Sequence, residues 1–120
     1  MKKILLVEDD TAIIEMLINF FSQGGHTVIV ASATWQGIEI LDKRHDFDIV
    51  LTDLNQGLEL TGGLKVVRKA KEVSPPGTVI CLMSANLDLE GAIEAAQANG
   101  VTCFIRKPFK LEALEKVLGL

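Results

Sequence analysis

Cysteine is scarce in this chain. Cys81 and Cys103 are two cysteines in 120 residues, too few for a disulfide framework. With no secretion signal they read as reduced core thiols of a cytoplasmic protein. Met1-Lys2-Lys3 is followed by only four apolar residues before an acidic cluster. A signal peptide needs a longer apolar region and a small-residue cleavage site. Long apolar runs are also missing. The longest stretch free of Asp, Glu, Lys and Arg, from Met16 to Ile38, has 23 residues. Asn19, Ser22, Gln23, Gly24, Gly25 and His26 interrupt it, whereas a membrane span needs about 20 mostly apolar residues in succession. Positive charge is in deficit, with 12 basic against 16 acidic side chains and a net charge of −4. A nucleic-acid surface would need a clustered basic face, so no direct nucleic-acid binding is expected. Low-complexity tracts, internal repeats and linkers are absent.

What is present is an ordinary globular composition, 48% apolar and 23% charged. A chain of this length makes one domain, residues 1–120, and buries about two-thirds of its unfolded surface. Two textures alternate along it. Ile4-Leu5-Leu6-Val7 is an unbroken apolar run, as in a strand covered on both faces. Asp10 or Thr11 can cap the helix that follows, whose Ile13, Ile14, Leu17, Ile18 and Phe21 recur at helical spacing until Gly24-Gly25 ends it. Further strands are expected over Thr27 to Ala31, Asp48 to Thr52, Thr78 to Met83 and Val101 to Ile105. Helices are expected over Ser32 to Arg44, Leu64 to Val73, Asp88 to Ala98 and Lys110 to Leu118, with a glycine-rich loop from Asn55 to Gly63. Five βα units in succession imply a parallel sheet with helices on both faces.

Ligands of an open α/β sheet bind beyond the carboxyl ends of its strands. Glu8, Asp9 and Asp10 follow the first strand, Asp53 the third, Ser84 the fourth and Lys107 the fifth. The second strand ends in Ala31-Ser32 and would be an edge if the order is 2-1-3-4-5. Glu8, Asp9 and Asp53 would share one crevice. Unit charges about 4 Å apart repel by roughly 4 kcal/mol at an effective dielectric near 20, so three carboxylates there need a counter-charge. A hard divalent cation suits oxygen ligands, Mg²⁺ best of all, and zinc would want paired His or Cys. Lys107 adds a point charge for an anion, and Ser84 adds a hydroxyl. A carboxylate, a cation, a lysine and a hydroxyl around one point describe phosphoryl transfer onto Asp53. Each group alone has a structural reading: acids suit a helix N-terminus, and an Asp after a strand forms turns. Their joint placement at four strand ends is what points to chemistry.

These residues make the chain resemble a response-regulator receiver domain of two-component signalling. The resemblance rests on Val7-Glu8-Asp9-Asp10, Thr52-Asp53-Leu54, Ser84-Ala85 and Phe104-Ile105-Arg106-Lys107-Pro108-Phe109, and it covers essentially the whole chain. It implies a flavodoxin-like doubly wound sheet in the order 2-1-3-4-5, with Asp53 as phosphoacceptor. It also implies Mg²⁺ held by Glu8, Asp9, Asp53 and the backbone carbonyl of Asn55, with Asp9 the more direct ligand. Ser84 and Lys107 would bind phosphoryl oxygens, Phe104 would turn inward when Ser84 moves, and the Lys107–Pro108 bond would be cis. The phosphodonor would be a sensor histidine kinase or a histidine phosphotransfer protein. The output face would be the helix ending at Ala98, the fifth strand and the last helix, acting on a downstream effector or as a homodimer contact. Asn55 and Asn86 flank the expected approach of water and would set the phosphate lifetime. Such a protein is not a conventional enzyme, since it promotes its own aspartyl phosphorylation and dephosphorylation.

Two departures from the family pattern stand out. Gly57 lies near a usual proline position, with Gly62-Gly63 about two residues late, which predicts a longer loop. Trp35 stands where a charged residue is usual and reads as partly buried. Three other functions compete with the receiver reading. A receiver-fold interaction module that is never phosphorylated would lack Asp53 or Lys107, and both are here. An aspartyl-phosphate phosphohydrolase would want a second carboxylate where Asn55 stands, as general acid. A dinucleotide site would need a glycine-rich turn in place of Glu8-Asp9-Asp10. The sequence suits either a complete single-domain regulator or a receiver within a longer protein.

Overall fold

The apolar runs become strands because each is covered on both sides. The structure, a computed structural model, describes residues 1–55, 62–85 and 91–120. Strands β1 (Lys3–Val7), β2 (Thr27–Ala31), β3 (Ile49–Asp53), β4 (Val79–Ser84) and β5 (Cys103–Arg106) alternate with helices α1 (Thr11–Gln23), α2 (Thr34–Lys43), α3 (Gly62–Val73), α4 (Ala92–Ala98) and α5 (Leu111–Leu118). All strand pairs are parallel, and the order is β2-β1-β3-β4-β5. This is the doubly wound, flavodoxin-like arrangement expected from the sequence.

Side chains alternate between two cores. Leu5, Val7, Val50, Ile80 and Leu82 face one core with Leu41, Val66 and Val67 of α2 and α3. Ile4, Leu6, Ile49, Leu51, Cys81 and Met83 face the other with Leu17, Phe21, Leu114 and Leu118 of α1 and α5. Asp10, rather than Thr11, caps α1: its carboxylate accepts from the Ala12 and Ile13 N–H groups at 2.9 and 3.3 Å. Among the described residues no helix is long and apolar enough to cross a membrane.

Several boundaries differ from the sequence reading, most of them for a non-local reason. β3 and β4 run one residue further, so Asp53 and Ser84 are the last residues of their strands rather than the first beyond them. Leu54 N–H donates to the Met83 carbonyl at 2.9 Å, and Lys107 N–H to that of Ser84 at 3.0 Å, which carries the ladder to the very edge. β5 starts at Cys103, not Val101, because Val101 N–H is used on the Ala96 carbonyl to close α4. α2 begins at Thr34, with the Gln36 side chain accepting from the Ser32 N–H and hydroxyl just before it. α3 begins at Gly62, two residues before Leu64, and its Gly63 N–H donates to the Leu54 carbonyl at 2.8 Å. Trp35 is 64% exposed, not partly buried; it sits in the first turn of α2, and the inward positions Thr34, Gly37 and Leu41 of that helix exclude it.

The expected glycine-rich loop and the start of the fourth helix fall largely on residues 56–61 and 86–90, outside the described residues. Gly57, Asn86, Asp88 and Leu89 belong there. Of the described side chains of α4 only Ala96 is buried, Ile93 is exposed, and no side chain caps the helix at Gly91. Little apolar contact holds this element, so α4 is expected to open most readily. Hydrogen exchange should show amides 95–98 exchanging ahead of those in α1, α3 and α5; stronger protection there than in the other helices would contradict it.

Candidate active site at the carboxyl edge of the sheet

The end of β1 delivers Glu8 into the protein rather than into water. Its N–H donates to the Ala31 carbonyl at 3.0 Å, which extends the β1–β2 ladder, and the side chain is fully buried. Oε1 accepts from the N–H groups of Asp9 and Asp10 at 3.2 and 3.1 Å. Oε2 accepts from Lys107 Nζ at 2.8 Å, and the same ammonium donates to Asp53 Oδ2 at 3.0 Å. Asn55 N–H donates to the other Asp53 oxygen at 3.3 Å. A single lysine thus joins the ends of β1 and β3 from the end of β5.

Electrostatics follow from this placement. Burial raises Glu8 above its ordinary value of 4.5, with the neighbouring Asp53 charge adding to the rise and Lys107 opposing it. Burial works to lower Lys107, but hydrogen bonds to Glu8 and Asp53 outweigh it and leave the ammonium above its usual range. One cation is shared by two acids, and Asp9 stands beside them. Carboxylate oxygens of Glu8, Asp9 and Asp53 all lie within 4.8 Å of one another. Asn55, next to Asp53's own hydrogen bond, carries a buried amide oxygen with no partner among the described residues. Oxygen donors of this number and charge fit a hard divalent cation.

The other expected site residues also reach this edge. Ser84 closes β4 beside Asp53 and is buried, its carbonyl accepting from Lys107 N–H. The Lys107–Pro108 bond is cis. Phe104 lies on β5 opposite Leu82, half-buried against the core under α3 and α4, two positions before Arg106, which pairs with Ser84 in register. Asn86 lies outside the described residues.

Two features escaped the sequence reading. Gly63 passes so close to the Asp53 carbonyl that no side chain fits there; the adjacent Gly62-Gly63 was its only signal. An apolar groove of about 300 Å³ also runs beside Lys107, lined by Ile13, Met16, Ala85, Pro108 and Phe109. Ile13 and Met16 are three apart on α1, a hint that the face carries more than core.

With this geometry in place, the comparison with known proteins is decisive. Residues 4–119 match the family model described as the response regulator receiver domain. The chain belongs to the response-regulator receiver family. The receiver is 31% identical over 113 residues to the response regulator protein FleR of Pseudomonas aeruginosa, covering 93% of this chain and 23% of FleR. It spans less than half the length of the curated relatives it matches. Its fold matches a response regulator receiver domain protein from Clostridium thermocellum, with a TM-score of 0.84 and 25% identity, over 99% of this chain and 92% of the other. It also matches the receiver domain of the sensor histidine kinase PA1611 of Pseudomonas aeruginosa, with a TM-score of 0.75 and 23% identity, over 99% and 98% of the two chains. That neighbour holds a magnesium ion in its active-site cleft. The receiver described here carries an acidic cluster at its own sheet edge.

Proposed function

We propose that this receiver takes a phosphoryl group onto Asp53 from a phosphohistidine, in a Mg²⁺-dependent reaction, and passes the change to a partner. The observation that carries the reading is Lys107 Nζ bridging Glu8 and Asp53 beside a third carboxylate. Glu8, Asp9 and Asp53, with Asn55, would hold the metal, which when bound supplies positive charge beside the phosphoryl oxygens. Asp53 attacks phosphorus with a carboxylate oxygen. The new P–O bond forms as the bond to the donor's imidazole nitrogen breaks, and that nitrogen keeps the electron pair. A base is unnecessary, because a carboxylate is already deprotonated near neutral pH. Lys107 exchanges a carboxylate partner for a phosphoryl oxygen, and Ser84 offers its hydroxyl to another.

The donor is a sensor histidine kinase or a histidine phosphotransfer protein, and the apolar groove beside Lys107 suits a protein surface brought up to the site. On this reading the protein works in the cytoplasm and is a switch rather than a conventional enzyme. Asn55 and Asn86 tune the lifetime of the phosphate. Phosphorylation adds nearly two negative charges, drawing Ser84 and Lys107 inward and letting Phe104 follow on β5. The weakly held α4, with β5 and α5, then forms the output face for an effector or a second copy. Incubation with acetyl phosphate and Mg²⁺ should add the mass of one phosphoryl group, and Asp53→Asn should add none. An unmodified wild type, or equal modification of both proteins, would overturn the reading.

A further inference from the structure

The two cysteines, read from the sequence as reduced core thiols, are register partners. Cys81 on β4 faces Cys103 on β5, and both side chains lie on the α1–α5 side of the sheet. Neighbouring strands lie about 4.8 Å apart, inside the about 4.4–6.8 Å that separates the Cα atoms of a disulfide. The pair is also asymmetric. Cys81 is fully buried, whereas Cys103 is half-buried on the edge strand. The two sulfurs interact: the Cys81 side chain holds Cys103 below the usual thiol range against the effect of burial, and the same contact together with burial pushes Cys81 far above it. A thiolate-prone, reachable sulfur next to a buried thiol is the arrangement of an attacking and a resolving cysteine.

We propose that Cys81 and Cys103 are a reversible oxidation site, closing to a β4–β5 disulfide under hydrogen peroxide. In the first step the Cys103 thiolate attacks peroxide: an S–O bond forms, the O–O bond breaks, and hydroxide leaves. In the second the Cys81 sulfur attacks the Cys103 sulfenic acid: the S–S bond forms, the S–O bond breaks, and the Cys81 proton departs with the hydroxyl as water. Two electrons pass from the thiols to peroxide, and a thiol reductant returns them. The bond would clasp β4 three residues before Ser84 and β5 one residue before Phe104. Resting on the switch proposed above, it locks the two strands against the shift that phosphorylation drives.

Intact mass after peroxide treatment tests the site without any phosphate. The expected product is monomeric, lighter by two hydrogens, resistant to maleimide and restored by dithiothreitol. Cys103→Ala and Cys81→Ala should each leave one free or oxygenated sulfur; Cys103→Ala, on the half-buried edge, guards against a misfolded core variant. Wild type that gains oxygen atoms, or keeps two maleimide-reactive thiols, would overturn the proposal. Acetyl phosphate added to both redox forms then separates the two readings. Loss of the phosphorylation-induced change in hydrogen exchange at 101–106 in the oxidised form alone supports the lock. An equal change in both forms overturns the lock, and disulfide formation with no phosphorylation of either form overturns the phosphoacceptor reading while leaving the oxidation site standing.

Discussion

Lys107→Met is expected to destabilise the metal-free protein by about 3 kcal/mol at neutral pH, since removing one partner of a buried ion pair leaves its acids uncompensated. Among the described residues Lys107 is the one cation paired with the fully buried Glu8, and it also holds Asp53. The loss should depend on pH in a defined direction. Burial raises Glu8 above 4.5 in the folded state. An acid that binds its proton more tightly when folded contributes most stability below its unfolded value, and that contribution is lost as pH rises through the folded value. In the wild type Lys107 restrains the rise; without it the window extends upward. Urea denaturation in chelator across that window should therefore show the variant near wild type at the acid end and increasingly weaker toward neutrality. Glu8→Gln in the same background should flatten the difference. A pH-independent deficit, or one that grows on acidification, would contradict the account. Added Mg²⁺ should recover part of the loss, because a ligand at about 100 times its dissociation constant stabilises by about 2.7 kcal/mol.

Gly63→Ala is expected to be as damaging for a different reason. A Cβ at that position would fall on the Asp53 carbonyl oxygen, 2.7 Å from Leu54 Cα and 2.9 Å from the Asp53 carbonyl carbon. All three are backbone atoms at the end of β3, so no side chain can turn aside, and α3 must move off the sheet. Overpacking of a well-filled core costs about 1–3 kcal/mol and more when nothing yields; the upper end applies here. At about 4 °C per kcal/mol for a domain of this size, the melting point should fall by about 10 °C or more. Gly37→Ala is the control. Its Cβ would meet Val7 Cγ2 at 2.9 Å, a methyl group that can shift, and its loss should be clearly smaller. A Gly63→Ala melting point close to wild type, or below-control damage relative to Gly37→Ala, would show that the α3–β3 approach is looser than described.

Much of the site was legible before any fold was known. Apolar runs of four to six residues mark buried strands, and a charged or hydroxyl residue at the end of such a run has few places to go but the sheet edge. Hence Glu8, Asp53, Ser84 and Lys107 were visible as a set, and the βα alternation placed them together. Local caps were equally readable, since Asp10 and Gly24 act within a few residues of themselves. The boundaries at Asp53, Ser84, Gly62 and Cys103 were not, because each is decided by a backbone bond to another element.

What the sequence determined by itself is the order of elements and the residue types at the strand ends, because hydrophobic spacing and capping act over one or two turns of chain. Tertiary structure alone decided who meets whom. Lys107 finds Glu8 across 99 positions and Asp53 across 54, Gly63 meets the Asp53 backbone, Trp35 is left in solvent, and two cysteines far apart in sequence become neighbours. Parallel crossovers set these meetings. The register of one strand against another depends on how both faces of the sheet pack, and no local window of sequence contains that packing.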